Sequence, residues 1–162
     1  MTTPEQRLTE LGFVLPAPTQ LPPGVVIPFP MVRVVGNRAL ISGHGPTNPD
    51  GSFALPLGKV GAGVTEEQAY MAARLTGLAM LGSLKRELGD LSRIACWTRV
   101  FGMVNSAPGF IRQPAVINGF SDLILSVFGS EQGAHARSAV GVAELPFGIP
   151  VEIEGEVELK LI

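Results

Sequence analysis

The sequence predicts a single α+β domain, residues 1–162, in which a mixed β-sheet carries two helices on one of its faces. A chain of 162 residues suffices for one domain with one hydrophobic core. Runs with strand-like and helix-like periodicity follow in the order β-β-(β)-α-β-α-β-β, and two helices bury most economically against a single sheet face. With 46% hydrophobic and 16% charged residues, the chain has the composition of a folded globular protein.

The N-terminal part, residues 1–30, is predicted to form a short helix followed by an extended arm. Thr3 is suited to cap the helix, Pro4 suits its first turn, and Gly12 ends it. Prolines at six positions between residues 15 and 30 remove backbone donors and disfavour helix at each preceding residue. We therefore expect an arm of the domain rather than a linker between two domains.

A β-hairpin is predicted after the arm. Residues 31–35 and 38–42 are two β-rich runs, and the intervening Gly36-Asn37 fits the two-residue turns of hairpins. The segment that follows is loop-like up to residue 64, with a short strand at Lys59-Val60.

Two helices are predicted, with one strand between them. The first spans residues 65–89, because Thr65 and Gln68 make a capping box and a glycine lies at the end. A strand over residues 94–104 precedes the second helix, which covers about residues 114–128 and opens with a proline. The apolar positions of the first helix share one broad face, which predicts that it lies on the sheet.

The last third of the chain is predicted to be two strands, residues 137–145 and 151–161. They flank the sequence Pro-Phe-Gly-Ile, a tight connection that suggests an antiparallel pair. If the valine-bearing faces of both strands lie under the helices, Arg137 shares the uncovered face of the sheet with a row of four glutamates. These glutamates are Glu152, Glu154, Glu156 and Glu158.

Charge and cysteine content argue against several function classes. The net charge is -2 and the twelve Lys and Arg residues are scattered, so no basic stripe is available to bind a nucleic acid. The lone Cys96, beside Trp97, excludes an internal disulfide and is expected to be a packed core thiol. His44 and His135 stand far apart without partners at zinc-ligand spacing, so we expect no metal site.

No targeting or membrane segment is predicted. The N-terminus is polar, and no stretch of about 18 uninterrupted apolar residues occurs, so we expect a soluble cytoplasmic protein. The mean hydropathy of +0.33 is high for a small monomer, which predicts that apolar surface is buried against other copies of the chain.

Two charged residues are the main candidates for chemistry. Arg137 opens a strand of small residues, where a guanidinium has space to clamp a carboxylate bidentately; an ordinary salt bridge to a glutamate is the alternative. Glu152 could act as a general base or hold a water molecule in a half-buried pocket. For the other three glutamates of the row we prefer a solvated strand face.

A second group of candidates is polar or small. His44 follows Ser42-Gly43 at a strand end, where an imidazole and backbone N–H groups could contact a small anion; a loop histidine without a role fits equally well. Asn118 and Ser121, early in the second helix, could hydrogen-bond a ligand or could be ordinary polar positions of an exposed turn.

Several segments resemble the RidA/YjgF superfamily. The run HARSAVGVAELPFGIPVEIEGEVEL, with the hairpin ending in ISG and the order of elements, is similar to the superfamily's C-terminal signature. The segments APGFIRQPAVINGFSDLILSVFG and GKVGAGVTEEQA look like the branch labelled YjgF/chorismate-mutase-like, endoribonuclease L-PSP. The resemblance covers nearly the whole chain from Leu11 onward.

The resemblance implies a chorismate-mutase-like fold and a homotrimer with three ligand clefts between subunits. In catalytic members an arginine opening the penultimate strand binds the carboxylate of a 2-imino acid or enamine. A glutamate on the last strand positions water for hydrolysis to a 2-keto acid and ammonia. Arg137 matches that arginine and Glu152 matches that glutamate. Ser42 and Gly43 match small residues of the cleft, and Asn118 matches the helix asparagine; no cofactor is implied.

Three positions depart from the active members. PFPMVRVV replaces a GPYS-type segment whose tyrosine contacts the ligand, and the one tyrosine of the chain, Tyr70, lies on a helix. Ala139 stands for a cysteine and His44 for a glutamine of the cleft. The leading interpretation is an imine deaminase-like hydrolase. A non-catalytic trimer that binds small carboxylate metabolites is the alternative, favoured by the missing tyrosine. The ribonuclease implied by the branch label comes third, because the charge distribution does not support it.

Overall fold

The structure, a computed structural model, describes residues 2–161 as one five-stranded sheet with three helices. Two single-turn 3-10 helices, Leu91–Arg93 and Pro146–Gly148, lie in the connections. The helices and strands in chain order are α1 (Pro4–Glu10), β1 (Val32–Val35), β2 (Arg38–His44), α2 (Glu66–Leu88), β3 (Ile94–Asn105), α3 (Gln113–Gln132), β4 (Ala136–Val142) and β5 (Val151–Leu159).

The sheet is mixed, with the strand order β1-β2-β5-β3-β4. β3 and β4 run parallel, while the other three neighbouring pairs are antiparallel. The predicted α+β class with a mixed sheet is therefore confirmed. The predicted hairpin is also present as β1 and β2, joined at Gly36, whose φ of 60° fits a primed turn.

Helices α2 and α3 lie side by side on one face of the sheet, which we call the covered face; the other is the open face. Ile117 of α3 lies so near β3 that a β-carbon at Gly102 would be 2.7 Å from it. The two helices meet as closely, since a β-carbon at Gly119 would lie 2.0 Å from the backbone oxygen of Tyr70. No helix within residues 2–161 is long and apolar enough to cross a membrane.

The core fills the space between the helices and the covered face. Trp97 is 2% exposed and meets the ring of Phe120 edge to face at a centroid distance of 5.4 Å. Burial of each large apolar side chain of this kind contributes about 1.5–3 kcal/mol to folding. The core thus ties β3 to α3 through aromatic contacts.

Local signals in the sequence set the helix ends. Thr65 and Gln68 form the predicted capping box of α2, and Gly89 caps its end with a φ of 79°. The second helix was predicted to end near residue 128 and extends to Gln132, but Gly129 interrupts it with φ 81° and ψ 175°. The predicted end therefore coincides with a break in the helical backbone.

The predicted antiparallel pairing of the last two strands is wrong. β5 lies between β2 and β3, and β4 pairs with the far side of β3. Because β3 stands between the two strands, the connection must step over a strand end. Residues 143–150 make that step through the 3-10 turn Pro146–Gly148, which a tight hairpin turn could not do.

The prediction that Arg137 shares a face with the glutamate row is also wrong. Arg137 pairs with the buried Val100, so its side chain lies on the covered face beside α3. Glu152 pairs with Met103 on the open face. The prediction assumed that the valines of this strand lie under the helices. Since β4 is an edge strand, Val140 instead lies on the open face and is 38% exposed.

The proline-rich arm lies along the domain and is held by backbone hydrogen bonds. The N–H of Ala17 donates to Pro49, and the N–H of Gln20 donates to Gly51. The Arg86 guanidinium of α2 donates to the carbonyl oxygen of Pro16 at 3.0 Å. These contacts place the arm beside the end of β2.

Candidate functional site

Glu152 opens into a cavity of about 550 Å³. The cavity is bounded by the arm, the end of β2, one side of α2 and the Pro146–Gly148 turn. Gly43 and His44 line it as well, so the structure brings together three of the residues that the sequence predicts for the site.

Gly43 leaves the space that the Glu152 carboxyl occupies. A β-carbon at position 43 would lie 2.8 Å from Oε1 of Glu152 and 3.0 Å from its Cδ. The pairing of β2 with β5 is irregular between Ile41 and His44, and this irregularity brings Gly43 against the carboxyl. A residue with a side chain at position 43 would displace the carboxyl group.

The Glu152 carboxyl lies half-buried and accepts no hydrogen bond from residues 2–161. Burial raises its pKa above the usual value, and the negative charge of Glu154 raises the pKa further. A carboxylate with a raised pKa is a better proton acceptor near neutral pH than an exposed one. Glu152 is therefore suited to bind and activate a water molecule.

His44 is 3% exposed and held in one tautomer by its neighbours. Its Nδ1 lies 2.6 Å from the carbonyl oxygen of Ser42, so Nδ1 carries the proton and donates it. Its Nε2 accepts a hydrogen bond from the Ser83 hydroxyl at 2.8 Å, and that hydroxyl accepts one from Arg86 at 3.1 Å.

Burial, together with the charge of Arg86, lowers the pKa of His44 to about 4. The imidazole is thus neutral at physiological pH and offers no positive charge to an anion. Both ring nitrogens are engaged within the chain, so His44 forms part of the cavity wall.

Ser42 and Ala139 lie outside this cavity. The Ser42 hydroxyl donates to the carbonyl oxygen of Pro30 at 2.9 Å, which ties the arm to β2. Ser42 lines a shallower pocket on the open face, beside Arg99. Ala139 is partly buried on the covered face and packs against the core.

Arg137 lies in a separate depression of about 370 Å³ between α3 and β4. Its Nη1 donates to Asn118 Oδ1 at 2.9 Å and to Ser121 Oγ at 3.0 Å, and its Nη2 donates to the Pro114 carbonyl oxygen at 3.3 Å. No carboxylate among residues 2–161 forms a salt bridge with it. The Nε–H and one Nη2–H of Arg137 have no hydrogen-bond partner among residues 2–161, so the guanidinium can still bind a carboxylate.

The surroundings of Arg137 keep it fixed and charged. Burial lowers its pKa from the usual value, and the nearby Asp122 counters that effect. Ser121 donates to Nε2 of His135, and Nδ1 of His135 donates to the carbonyl oxygen of Gly133. Arg137, Ser121 and His135 thus form a hydrogen-bonded series similar to that of Arg86, Ser83 and His44. Sequence reasoning missed His135 because the partners meet only in the fold.

The structure therefore divides the predicted site into two parts. Glu152, Gly43 and His44 line one cavity, while Arg137 and Asn118 line another, and the side chains of Glu152 and Arg137 project from opposite faces of the sheet. A single chain does not bring the guanidinium and the carboxylate together. A ligand that touches both must lie between two chains.

Two other residues lie away from these cavities. The hydroxyl of Tyr70 on α2 donates to Asp122 at 2.7 Å on the outside of the helix pair. Cys96 was expected in the core but lies half-buried on the open face beside Glu158, because β3 alternates faces and Trp97 takes the core position. In the described residues, 2–161, no group of three or more His, Cys, Asp or Glu side chains is placed to hold a metal ion.

Comparisons with known proteins found a family model and several similar proteins. A family model described as "YjgF/chorismate mutase-like, putative endoribonuclease" matches residues 5–149. A curated relative, "Protein TCP17" of Trypanosoma cruzi, is 45% identical over 125 residues, which is 77% of each chain. The solved structure of Atu1372 from Agrobacterium tumefaciens, a protein of unknown function, has 39% identity and a TM-score of 0.86 over 98% of this chain and 93% of that one. A "putative endoribonuclease" of Shewanella oneidensis MR-1 has 32% identity and a TM-score of 0.87 over 97% and 99%.

Proposed function

Since this chain belongs to the YjgF/chorismate-mutase-like family, we propose that it hydrolyses 2-imino and enamine carboxylic acids to 2-keto acids and ammonia, in clefts between the subunits of a homotrimer. The observation that carries the proposal is the division of the site. One surface of the chain presents a half-buried carboxylate, and another presents a guanidinium with two N–H groups free, neither having a further partner among residues 2–161. Together they suit a ligand that has both a carboxylate and an electrophilic carbon.

Head-to-tail assembly would unite the two groups. If the Glu152 surface of one subunit meets the Arg137 surface of the next, each contact joins unlike surfaces, and such contacts form a ring when the rotation between subunits closes. The number of three subunits comes from the family resemblance.

The proposed reaction needs only these two groups and water. Arg137 binds the substrate carboxylate through its free N–H groups and sets the position of C2. Glu152 accepts a proton from a water molecule as the water oxygen bonds to C2 and the C=N π electrons move to nitrogen. The proton then passes from Glu152 to the amino group. Glu152 next accepts the proton of the new hydroxyl group as the C=O bond forms and the C–N bond breaks, and a 2-keto acid and ammonia leave. Positioned proton transfer of this kind contributes about 10²–10⁴-fold to a rate.

The test is the rate of 2-keto acid release from freshly generated 2-imino acids. We expect the wild type to accelerate release, and Glu152→Gln and Arg137→Ala to lose about 10²-fold or more. Glu158→Gln is the matched control, because Glu158 lies on the same strand and face but outside the cavity. Sedimentation of every variant checks that assembly is unchanged. A wild type that accelerates no member of a broad imine panel contradicts the proposal.

A non-catalytic binder of small carboxylates is the second candidate. The position of Tyr70 favours it, since the one tyrosine of the chain is engaged with Asp122 away from both cavities. Binding of 2-keto acids that depends on Arg137, without any acceleration of imine hydrolysis, would establish this candidate instead.

Ribonuclease activity has less support from the site. His44 and His135 line different cavities, and His44 is neutral with both nitrogens engaged. The net charge of -2 also gives an RNA backbone little attraction. RNA cleavage that Glu152→Gln abolishes would move this activity to first place.

A further inference from the structure

The cavity at Glu152 is much larger than a small imino acid needs. Its volume of about 550 Å³ lies within the roughly 300–1,000 Å³ of sites that enclose drug-sized ligands. The imino acid of alanine has a single methyl group as its side chain and would leave most of this space unfilled. The extra space adjoins the Glu152 carboxyl directly.

Apolar side chains from two parts of the chain form walls of the extra space. The arm supplies one wall, on which Leu21, Val25, Ile27, Phe29 and Met31 lie. A second wall is made by Phe53 and Phe147, whose rings stack at a centroid distance of 5.2 Å, with Ile149.

The buried polar groups of the cavity wall are paired with one another. His44, Ser83 and Arg86 form a continuous hydrogen-bonded series that ends on the backbone oxygen of Pro16. A hydroxyl or amide on the substrate side chain finds no free partner among these three residues, and burying it unpaired is unfavourable. Glu152, Glu87 and Thr19 also line the cavity, and none of their side chains has a hydrogen-bond partner among residues 2–161.

The backbone at Phe147 supports a binding role for its ring. Among residues 2–161, Phe147 is the one non-glycine residue with a positive φ. Its φ is 60°, a backbone conformation that a residue with a bulky side chain rarely adopts. Strained backbone conformations of this kind cluster at active sites and ligand clamps. Phe147 is 42% exposed, and Phe29, which also lines the cavity, is 54% exposed.

We infer that the substrate of this cavity carries a bulky apolar side chain, branched aliphatic or aromatic, seated between Phe29 of the arm and the Phe53–Phe147 pair. This inference rests on the proposed function and names its substrate class. The reacting carbon lies at Glu152, and the apolar side chain displaces water from the two walls.

The test compares 2-imino acids generated from alanine, serine, leucine and phenylalanine. We expect kcat/KM for the leucine and phenylalanine imines to exceed that for the alanine imine by at least about tenfold, because additional apolar groups in a matching pocket discriminate by 10–200-fold. Calorimetric binding of pyruvate, 4-methyl-2-oxopentanoate and phenylpyruvate to the wild type measures the same preference without turnover.

Two variants connect the preference to the walls. Phe29→Ala and Phe147→Ala should lower kcat/KM for the leucine and phenylalanine imines about tenfold relative to kcat/KM for the alanine imine in the same variant. Val26→Ala is the matched control, because Val26 lies on the same arm, is 82% exposed and does not line the cavity. Sedimentation shows whether Phe29→Ala alters assembly.

The outcomes separate the inference from the proposed function. Turnover that is equal for small and bulky imines overturns the inference and leaves the proposed function standing. Preferential binding of the bulky keto acids without turnover of any imine overturns the proposed function and leaves the pocket preference. If Phe29→Ala dissociates the assembly without changing the preference, the arm covers a second copy rather than a substrate, and the inference is wrong.

Discussion

At the scale of single residues, the carboxyl of Glu152 owes its position to a neighbour that has no side chain. Gly43 makes room for it, and a β-carbon there would come within 2.8 Å of Oε1. The contact joins two predicted site residues, one from the motif ISG and one from PVEIE, which are far apart in the chain. Gly43 therefore matters because its lack of a side chain leaves room for the Glu152 carboxyl.

Gly43→Ala is expected to reduce imine hydrolysis while leaving the fold intact. The added methyl group meets the flexible end of Glu152, so the carboxyl moves and the backbone need not. A displacement of about 1 Å can cost about 10²-fold in rate. Gly63→Ala is the control, since a β-carbon there meets no atom within 4 Å. Equal turnover by Gly43→Ala and wild type would show that the position of Glu152 is unimportant.

At the scale of secondary-structure elements, α2 supports the cavity from behind. Ser83 and Arg86 lie one turn apart on it and hold His44 neutral in the wall. The helix itself is anchored by its capping box and by close packing on α3. Helix α2 thus supplies stability and a fixed wall, while its outer side carries Tyr70.

The buried histidine makes stability depend on pH. The pKa of His44 is about 4 in the folded chain and near 6.5 in the unfolded chain, so only the unfolded chain gains a proton as the pH falls between them. The free energy of unfolding should fall by about 2 kcal/mol between about pH 7.5 and 5, and the loss levels off below the folded pKa. Urea unfolding at several pH values measures it.

His44→Gln is the comparison for this pH dependence, because it removes the titrating group and leaves Glu152 in place. The raised pKa of Glu152 acts in the opposite sense, so the difference between wild type and variant is the informative quantity. The variant should lack the pH-dependent loss of about 2 kcal/mol. Parallel pH profiles for both proteins would show that His44 does not titrate in this range.

The helices were predictable from local signals, and the strand order was not. The capping box at Thr65 and the turn at Gly36 act over a few residues, so the sequence displays them. The insertion of β5 between β2 and β3 depends on pairings such as Arg38 with Glu158, across most of the chain. No local pattern specifies such a pairing, and a Pro-Gly turn favours the simpler hairpin.

The charged candidates of the site could be named from the sequence, whereas the walls of the cavity could not. The resemblance to the family singled out Arg137 and Glu152 because each stands in a short segment that matches the family's motif. The partnership of His44 with Ser83 joins residues 39 positions apart, and the arm reaches the cavity only in the fold. The alternation of residues along the edge strand β4 also does not show whether the Arg137 side chain lies on the covered or the open face of the sheet.

At the scale of the whole molecule, the chain carries two half-sites whose charged side chains project from opposite faces of one sheet. Arg137 lies under the edge of α3, and Glu152 lies by the arm. If one ligand uses both, the working unit is an assembly, and each site draws one group from each of two neighbouring subunits. Variants of the two residues can then complement each other.

Mixing Arg137→Ala with Glu152→Gln should restore activity that neither variant has alone. In a ring, a site is intact wherever a subunit with a normal Glu152 precedes one with a normal Arg137. When equal amounts of the two variants are unfolded and refolded together, random assembly should give about a quarter of the wild-type activity. Separate refolding followed by mixing is the control. A mixture as inactive as its components would place both residues in one chain's site.

The position of the two groups on different faces also affects how activity varies with abundance. A single chain carries half of a site. In the proposed assembly, therefore, chains must associate before a substrate can be bound and converted. Specific activity then declines when the protein is diluted below the range in which its subunits stay together, and it returns on concentration. The amount of the protein that a cell makes would set the activity of each copy as well as their number.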